Sequence, residues 1–152
     1  MSTNKTWKIT SNLEVNYEII FSEKIFEKNN SEILKYGNNG SKIKRLLIID
    51  KNVSDLYLGK IESYFNLNDV KTKILIVNGG EEEKNTDNLF KILETIEQFG
   101  ISRKNEPLIG IGGGVILDLV GFACSIYRRG IPYIRVPTTL LGIVDVSVAA
   151  KT

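Results

Sequence analysis

Short apolar runs separated by longer amphipathic stretches constrain this chain more than any other feature. RLLIID (45–50) is a continuous apolar run closed by Asp50, typical of a strand buried on both faces in a parallel sheet. KILIVNG (73–79), PLIGIG (107–112) and IPYIRVP (131–137) read as further strands. Between them, helices are expected at about 54–65, from Thr86 onward, and at about 115–128. Thr86 and Asp87 offer caps for a helix whose Leu89, Ile92, Leu93, Ile96 and Phe99 fall on one face. A short helix is expected from Ser31. TWKITSNLEVNYEIIFS (6–22), with β-branched and aromatic residues in partial alternation, reads as two strands joined around Ser11–Leu13. Alternating β and α with short connections predicts an α/β fold, a Rossmann-like parallel sheet preceded by an N-terminal β-hairpin.

The 152 residues are enough for one domain with a real core, and the 42% hydrophobic and 25% charged fractions are ordinary for a globular protein. A net charge of +2, with lysines interleaved among glutamates as in KIFEKNNSEILK (24–35), argues against nucleic acid as a partner. No stretch approaches the roughly 18 to 20 apolar residues of a membrane span. The first residues lack the apolar core of a signal peptide, and the lone Cys124 cannot form a disulfide within the chain. A cytoplasmic protein is the expectation. With no histidine and one cysteine, a zinc site built from this chain alone would need carboxylates only. The ending VDVSVAAKT has no helix stop or polar tail, so the chain reads as the front part of something longer.

GIGGGVILDLVG (110–121) departs from the G-x-G-x-x-G dinucleotide fingerprint, because the third glycine position falls on Val115 or Leu117. Glycines entering a helix still offer free N–H groups and a positive dipole end to an anion, although a tight turn alone can require them. Asp118 is the only charge between Gly114 and Arg128 in a helix apolar nearly all round; it either caps that helix or meets polar groups of a cofactor. Asp50 suits a ribose hydroxyl or a plain strand-end turn. GGEEEKN (79–85) reads as a solvated charged loop. Thr138 and Thr139 end a strand at the edge where ligands collect. Arg128, Arg129 and Lys151 are candidates for an anionic substrate, or simply a helix C-terminus and exposed surface.

Taken together, GGGVILDLVGFACSIYRRGIPYIRVPTTLLGIVDVSVAAKT (112–152) resembles the sugar phosphate cyclases, the superfamily of 3-dehydroquinate synthase. Its signature there runs GGGV-x-x-D-x-x-G-F, R-G, VPTTLL and D-x-S-V-x-x-K-T. The G-E-x-x-K at Gly80–Lys84 and the strand-end Asp50 also match, and the resemblance covers essentially the whole chain. WKITSNLEVNYEIIFSEKIFEKNNSEIL and YRRGIPYIRVPTTLLGIVD are closer to the sedoheptulose 7-phosphate cyclases of the 2-epi-5-epi-valiolone type. Dehydroquinate synthases usually have another polar residue near Arg135 and paired glycines where this chain has Ala149 and Ala150. Iron-dependent alcohol dehydrogenases share the architecture and a similar glycine turn, but continue PTTAGTGSE where this chain has PTTLLGIVD.

The resemblance implies the nucleotide-binding domain of a dehydroquinate synthase-like fold over 1–152, with a helical metal-binding domain following it. It implies NAD and a divalent metal, zinc or cobalt, whose ligands lie outside this chain. It implies a sugar phosphate substrate and a homodimer. Asp50, Glu81 and Lys84 would contact the adenosine half of NAD; Gly113, Gly114 and Val115 the pyrophosphate; and Asp118, Thr138 and Thr139 the nicotinamide end. Asp145 and Lys151 would face the substrate, and Arg129 the phosphate of a substrate bound to the neighbouring subunit. The implied reaction is transient oxidation, phosphate elimination, reduction and an intramolecular aldol closure, with these 152 residues inactive alone. The other expectations are a 3-dehydroquinate synthase or a non-catalytic NAD-binding module.

Overall fold

Residues 6–12, 16–37 and 43–148 are described by a computed structural model of the chain. After a short helix α1 (Glu32–Lys35), the elements run β1 (Lys44–Asp50), α2 (Lys51–Leu67), β2 (Lys71–Val77), α3 (Thr86–Phe99), β3 (Leu108–Gly112), α4 (Gly114–Ile126) and β4 (Tyr133–Pro137). The strands form a four-stranded sheet in the order β2-β1-β3-β4, parallel at every pairing.

Alternation along β1 explains why its sequence is apolar throughout. Leu46 and Ile48 point into a cluster with Ile92 and Ile96 of α3 and with Ile116, Val120 and Cys124 of α4. Leu47 and Ile49 point the other way, against Ile61, Tyr64 and Phe65 of α2 and Ile33 of α1. Each successive side chain therefore finds a helix-covered face. Burial in the first cluster pushes the Cys124 thiol well above its usual range, so it behaves as a small apolar group.

The helices begin and end on local chemistry. Asp50 caps α2, its Oδ1 accepting from the Asn52 N–H at 2.8 Å. Asn85, rather than Thr86 or Asp87, caps α3 by accepting from the Asn88 N–H at 3.0 Å. Gly100 closes α3 in the left-handed conformation, and Lys44 Nζ donates to its carbonyl at 2.8 Å. Arg45 is fully buried. Its guanidinium donates to the carbonyls of Tyr36 and Lys44, and desolvation pulls its pKa below the ordinary arginine value.

The expected N-terminal β-hairpin is not formed: 6–12 and 16–22 carry no strand pairing, and 13–15 lie outside the described residues. Their apolar side chains meet no sheet face. Trp7, Ile9 and Phe21 are all exposed, so alternation there has no core to select it. The helix expected to reach residue 128 ends at Ile126. A 3₁₀ turn follows at Tyr127–Arg129, where Arg128 and Arg129 take φ of 47° and 68°.

Gly110 sets how closely α4 approaches β3, since a Cβ there would lie 3.2 Å from Val120 Cγ2. Gly110→Ala is expected to lower unfolding stability by about 1–3 kcal/mol through overpacking, measured as a reduced urea midpoint at unchanged m-value.

Candidate functional site

The chain leaves β1 toward β2 on one side, and β3 lies on the other side of β1. The C-terminal ends of β1 and β3 therefore flank the point where strand order reverses, which is where open parallel sheets bind ligands. Asp50 ends β1 there, nearly buried, and Gly112 ends β3. The two backbones approach closely. A Cβ at Gly112 would stand 3.0 Å from both the Asp50 Cβ and the Ile116 Cβ, and one at Gly79 would stand 2.6 Å from Asp50 Oδ2. Only glycine fits this floor without displacing the carboxylate.

Gly113 then serves as the N-cap of α4 in an extended conformation, and no side chain bonds to the helix's first turn. The first N–H groups of a helix have no intrahelical partner, so Gly114, Val115 and Ile116 present donors and the positive dipole end at the crevice. Thr139 and Val146 flank the turn: a Cβ at Gly113 would lie 3.3 Å from the Thr139 methyl, and one at Gly114 would lie 3.4 Å from Val146 Cγ2.

Asp118, one turn into α4, is half-buried rather than enclosed. Lys84 meets it from the loop before α3, Nζ to Oδ2 at 2.8 Å. The hydrogen bond and charge of Asp118 raise the Lys84 pKa above its ordinary value. Glu81 lies 3.8 Å from the same ammonium. GGEEEKN is thus not merely a solvated loop. It folds as a 3₁₀ turn at Glu81–Glu83 that aims Lys84 back across the helix start, with Asn88 Nδ2 donating to Glu83 Oε2 at 2.6 Å.

Thr138 and Thr139 follow β4 on the same edge. Part of their capacity is already used: the Thr138 N–H donates to the Gly112 carbonyl at 2.9 Å, and Thr139 Oγ1 accepts from the Gly142 N–H at 3.1 Å. Asp145 is exposed on a π-helical turn, Gly142–Val146, just beyond. Asp50, Glu81, Lys84, Gly113, Gly114, Val115, Asp118, Thr138 and Thr139 are therefore gathered at one sheet edge, with Asp145 near them. Arg129 is not. It follows the far end of α4, about 20 Å along a helix of this length, and is exposed there. Arg128 beside it is held by Glu97, Nη2 to Oε2 at 3.2 Å. Lys151 lies outside the described residues.

Sequence reasoning passed over two contributors. Gly79 makes room for the Asp50 carboxylate, signalled only by its place in a Gly-Gly pair. Arg135, a charge inside the apolar strand β4, donates through Nη1 to the Val146 carbonyl at 2.6 Å. Among the described residues no group of three His, Cys, Asp or Glu could hold a metal ion, and no helix is long and apolar enough to cross a membrane.

Comparison with known proteins agrees with this geometry. The family model for the 3-dehydroquinate synthase N-terminal region matches residues 74–152. A 2-epi-5-epi-valiolone synthase of Streptomyces albus is 40% identical over 147 residues, covering 96% of this chain and 36% of that protein. A 3-dehydroquinate synthase of Prochlorococcus marinus is 37% identical over 139 residues, covering 91% of this chain and 38% of that protein. ValA, the 2-epi-5-epi-valiolone synthase of Streptomyces hygroscopicus subsp. jinggangensis solved with NAD+ and Zn2+ bound, superposes with a TM-score of 0.87. It is 32% identical, over 96% of this chain and 39% of that one. The chain thus spans little more than a third of the length of the relatives it matches.

The Lys84–Asp118 pair is exposed enough for solvent to screen it, so it contributes less than about 1 kcal/mol. On the lysine side that contribution is complete at neutral pH and is lost as pH rises through the elevated Lys84 pKa. Asp118→Asn is expected to return the Lys84 titration toward 10.5, followed by NMR of the side-chain ammonium, with little change in melting temperature.

Proposed function

The chain belongs to the 3-dehydroquinate synthase family, and from that premise we propose that it is the NAD-binding part of a sugar phosphate cyclase. The reading is conversion of sedoheptulose 7-phosphate to a C7 cyclitol of the 2-epi-5-epi-valiolone type. One observation carries it: the uncapped glycine turn at the β1–β3 crevice, in a fold that superposes on ValA, which binds NAD+ and Zn2+.

The residues present fit a dinucleotide. A Cβ at Gly112 or Gly79 would crowd the crevice floor and press on Asp50, and the first turn of α4 has donors with no side-chain cap. Gly113, Gly114 and Val115 would hold the pyrophosphate through their backbones. Asp50, Glu81 and Lys84 would hold the adenosine half, and Asp118, Thr138 and Thr139 would line the way to the nicotinamide. When bound, NAD supplies reversible oxidation of a substrate hydroxyl to a ketone, which acidifies the neighbouring C–H. The chain's own work would be to orient the substrate beside that edge, and Asp145 and Lys151 would be the residues that contact it.

Among the described residues no group of His, Cys, Asp or Glu fits a zinc ion. Residues 1–152 would be an N-terminal NAD-binding domain completed by a helical C-terminal domain carrying the metal ligands, and so a phosphate-eliminating lyase only when whole. Arg129, far from the crevice of its own chain, would reach substrate phosphate in a second copy of a cytoplasmic homodimer. The family match and the Prochlorococcus relative support a second reading, 3-dehydroquinate synthase.

Full-length protein given NAD and Zn2+ is expected to release phosphate from sedoheptulose 7-phosphate and form the cyclitol. Turnover of the dehydroquinate synthase substrate instead would replace the first reading with the second. Residues 1–152 alone, checked for folding by circular dichroism, are expected to release none; turnover by this piece would overturn the domain reading. Asp118→Ala should weaken NAD binding by about tenfold, the loss of one charge-assisted contact, measured by titration calorimetry.

A further inference from the structure

Arg135 is the charged side chain that joins β4 to the turn carrying Asp145. It shares a sheet face with Tyr133, two residues before it, on the side packed by α3 and α4. Both ends of its guanidinium fork are occupied. Nη2 donates to Tyr133 Oη at 2.6 Å, with the guanidinium 5.0 Å from that ring's centroid, and Nη1 donates to the Val146 carbonyl at 2.6 Å. Val146 is the last residue of the π-helical turn and directly follows Asp145.

Among the described residues, the other restraints on that turn are neutral hydrogen bonds and the burial of Gly142 against Pro137 and Leu117. Leu141, Ile143 and Val144 are exposed, so apolar packing contributes weakly. Its neutral anchors among the described residues include the Gly142 N–H to Thr139 Oγ1 at 3.1 Å, the Ile143 N–H to the Thr139 carbonyl at 3.0 Å, the wide bond from the Ser147 N–H to the Gly142 carbonyl at 2.9 Å, the Ser147 hydroxyl to the same carbonyl at 2.7 Å, and Tyr17 Oη to the Val148 carbonyl at 3.1 Å. A single π-turn is a rare conformation that persists where its surroundings hold it. A charged donor on a carbonyl is the strongest of these restraints. The anchored residue also faces the glycine turn, because the Val146 side chain stands over Gly114.

We propose that Arg135, braced by Tyr133, is the positioning residue that fixes the Gly142–Val146 turn, and with it the Asp145 carboxylate, against the start of α4. The inference rests on the cyclase reading for its kinetic consequence but not for its structural one. A planar fork reaching two acceptors at once cannot be reproduced by a lysine, which keeps the charge and loses one contact.

The test compares wild-type full-length protein with Arg135→Gln, Arg135→Lys and Tyr133→Phe, reading amide hydrogen exchange, NAD affinity and turnover of sedoheptulose 7-phosphate. In Arg135→Gln, exchange over 142–148 should quicken by about tenfold or more while α4 stays protected. kcat/KM for the sugar phosphate should fall by about tenfold or more, with NAD affinity held within about threefold. Arg135→Lys should fall between, and Tyr133→Phe should show the same selective pattern at smaller size. Tyr133→Phe decides the matter if Arg135→Gln does not fold. Unchanged protection of 142–148, or equal losses in α4 protection, NAD affinity and turnover, would overturn the proposal. If the wild-type protein turns over no sugar phosphate, the cyclase reading fails, and the exchange comparison alone decides whether Arg135 positions the turn.

Discussion

The direct contact between α4 and the backbone of β3 governs the arrangement of everything at the candidate site. Gly110 admits Val120, and Gly112 brings β1, β3 and the first turn of α4 to within a side-chain carbon of one another. A side chain at either position would press on the residues across the contact, Val120 at Gly110 and Asp50 and Ile116 at Gly112, and loosen it. Held there, the helix points its uncapped end at Asp50, sets Asp118 one turn deeper, and leaves the surface of Gly114 for Val146 to cover. The loops before α3 and after β4 then have a fixed object to fold against. Lys84 reaches Asp118 from one side, and Thr139 reaches Gly113 from the other.

The same packing explains why the sheet was legible in the sequence. Strands buried on both faces must be apolar at nearly every position, so β1 and β3 are written as unbroken runs, and the bounds expected for them differ from those found by only a residue. Helix faces were equally legible, since Leu89, Ile92 and Ile96 bury the stripe their spacing predicts. Residues 6–22 show where pattern fails. Alternation prescribes a strand only if a sheet face is there to receive it, and Trp7, Ile9, Tyr17, Ile19 and Phe21 of the described residues there face solvent. The cap of α3 moved by one residue because Asn85, Thr86 and Asp87 all have capping chemistry, and backbone geometry chose among them.

Site residues were legible as types and not as partners. The glycine turn and the adjacent threonines announce an edge where ligands collect. No local pattern announces that Lys84 will close on Asp118, or that Arg135 will reach the Val146 carbonyl, because both pairings depend on how loops return over the sheet. The doublet of Arg128 and Arg129 was readable as cationic, but its distance from the crevice follows only from the length and direction of α4. Its left-handed backbone, of order 1–3 kcal/mol per strained residue, is held by Arg128 on Glu97 and by the Tyr127 hydroxyl on the same carboxylate.

Charge at the crevice has a consequence for how an anion enters it. Asp50, Glu81 and Asp118 place carboxylates around the helix start, which would repel a pyrophosphate if nothing opposed them. Two features oppose them. The N-terminus of α4 carries about half a positive charge within its first turn, where Asp50 has already given one oxygen to α2. Lys84 also neutralises Asp118 while remaining partly in water. Burial of that pair would make parting it cost several kcal/mol, whereas at this exposure it costs less than about 1 kcal/mol. In the cyclase reading, the ammonium would turn from its carboxylate toward an incoming anion, and the carboxylate would be left to accept a hydroxyl. A weak, solvent-screened pair suits this position better than a strong one, because the two charges cancel each other in the empty crevice and would be reassigned when it is filled.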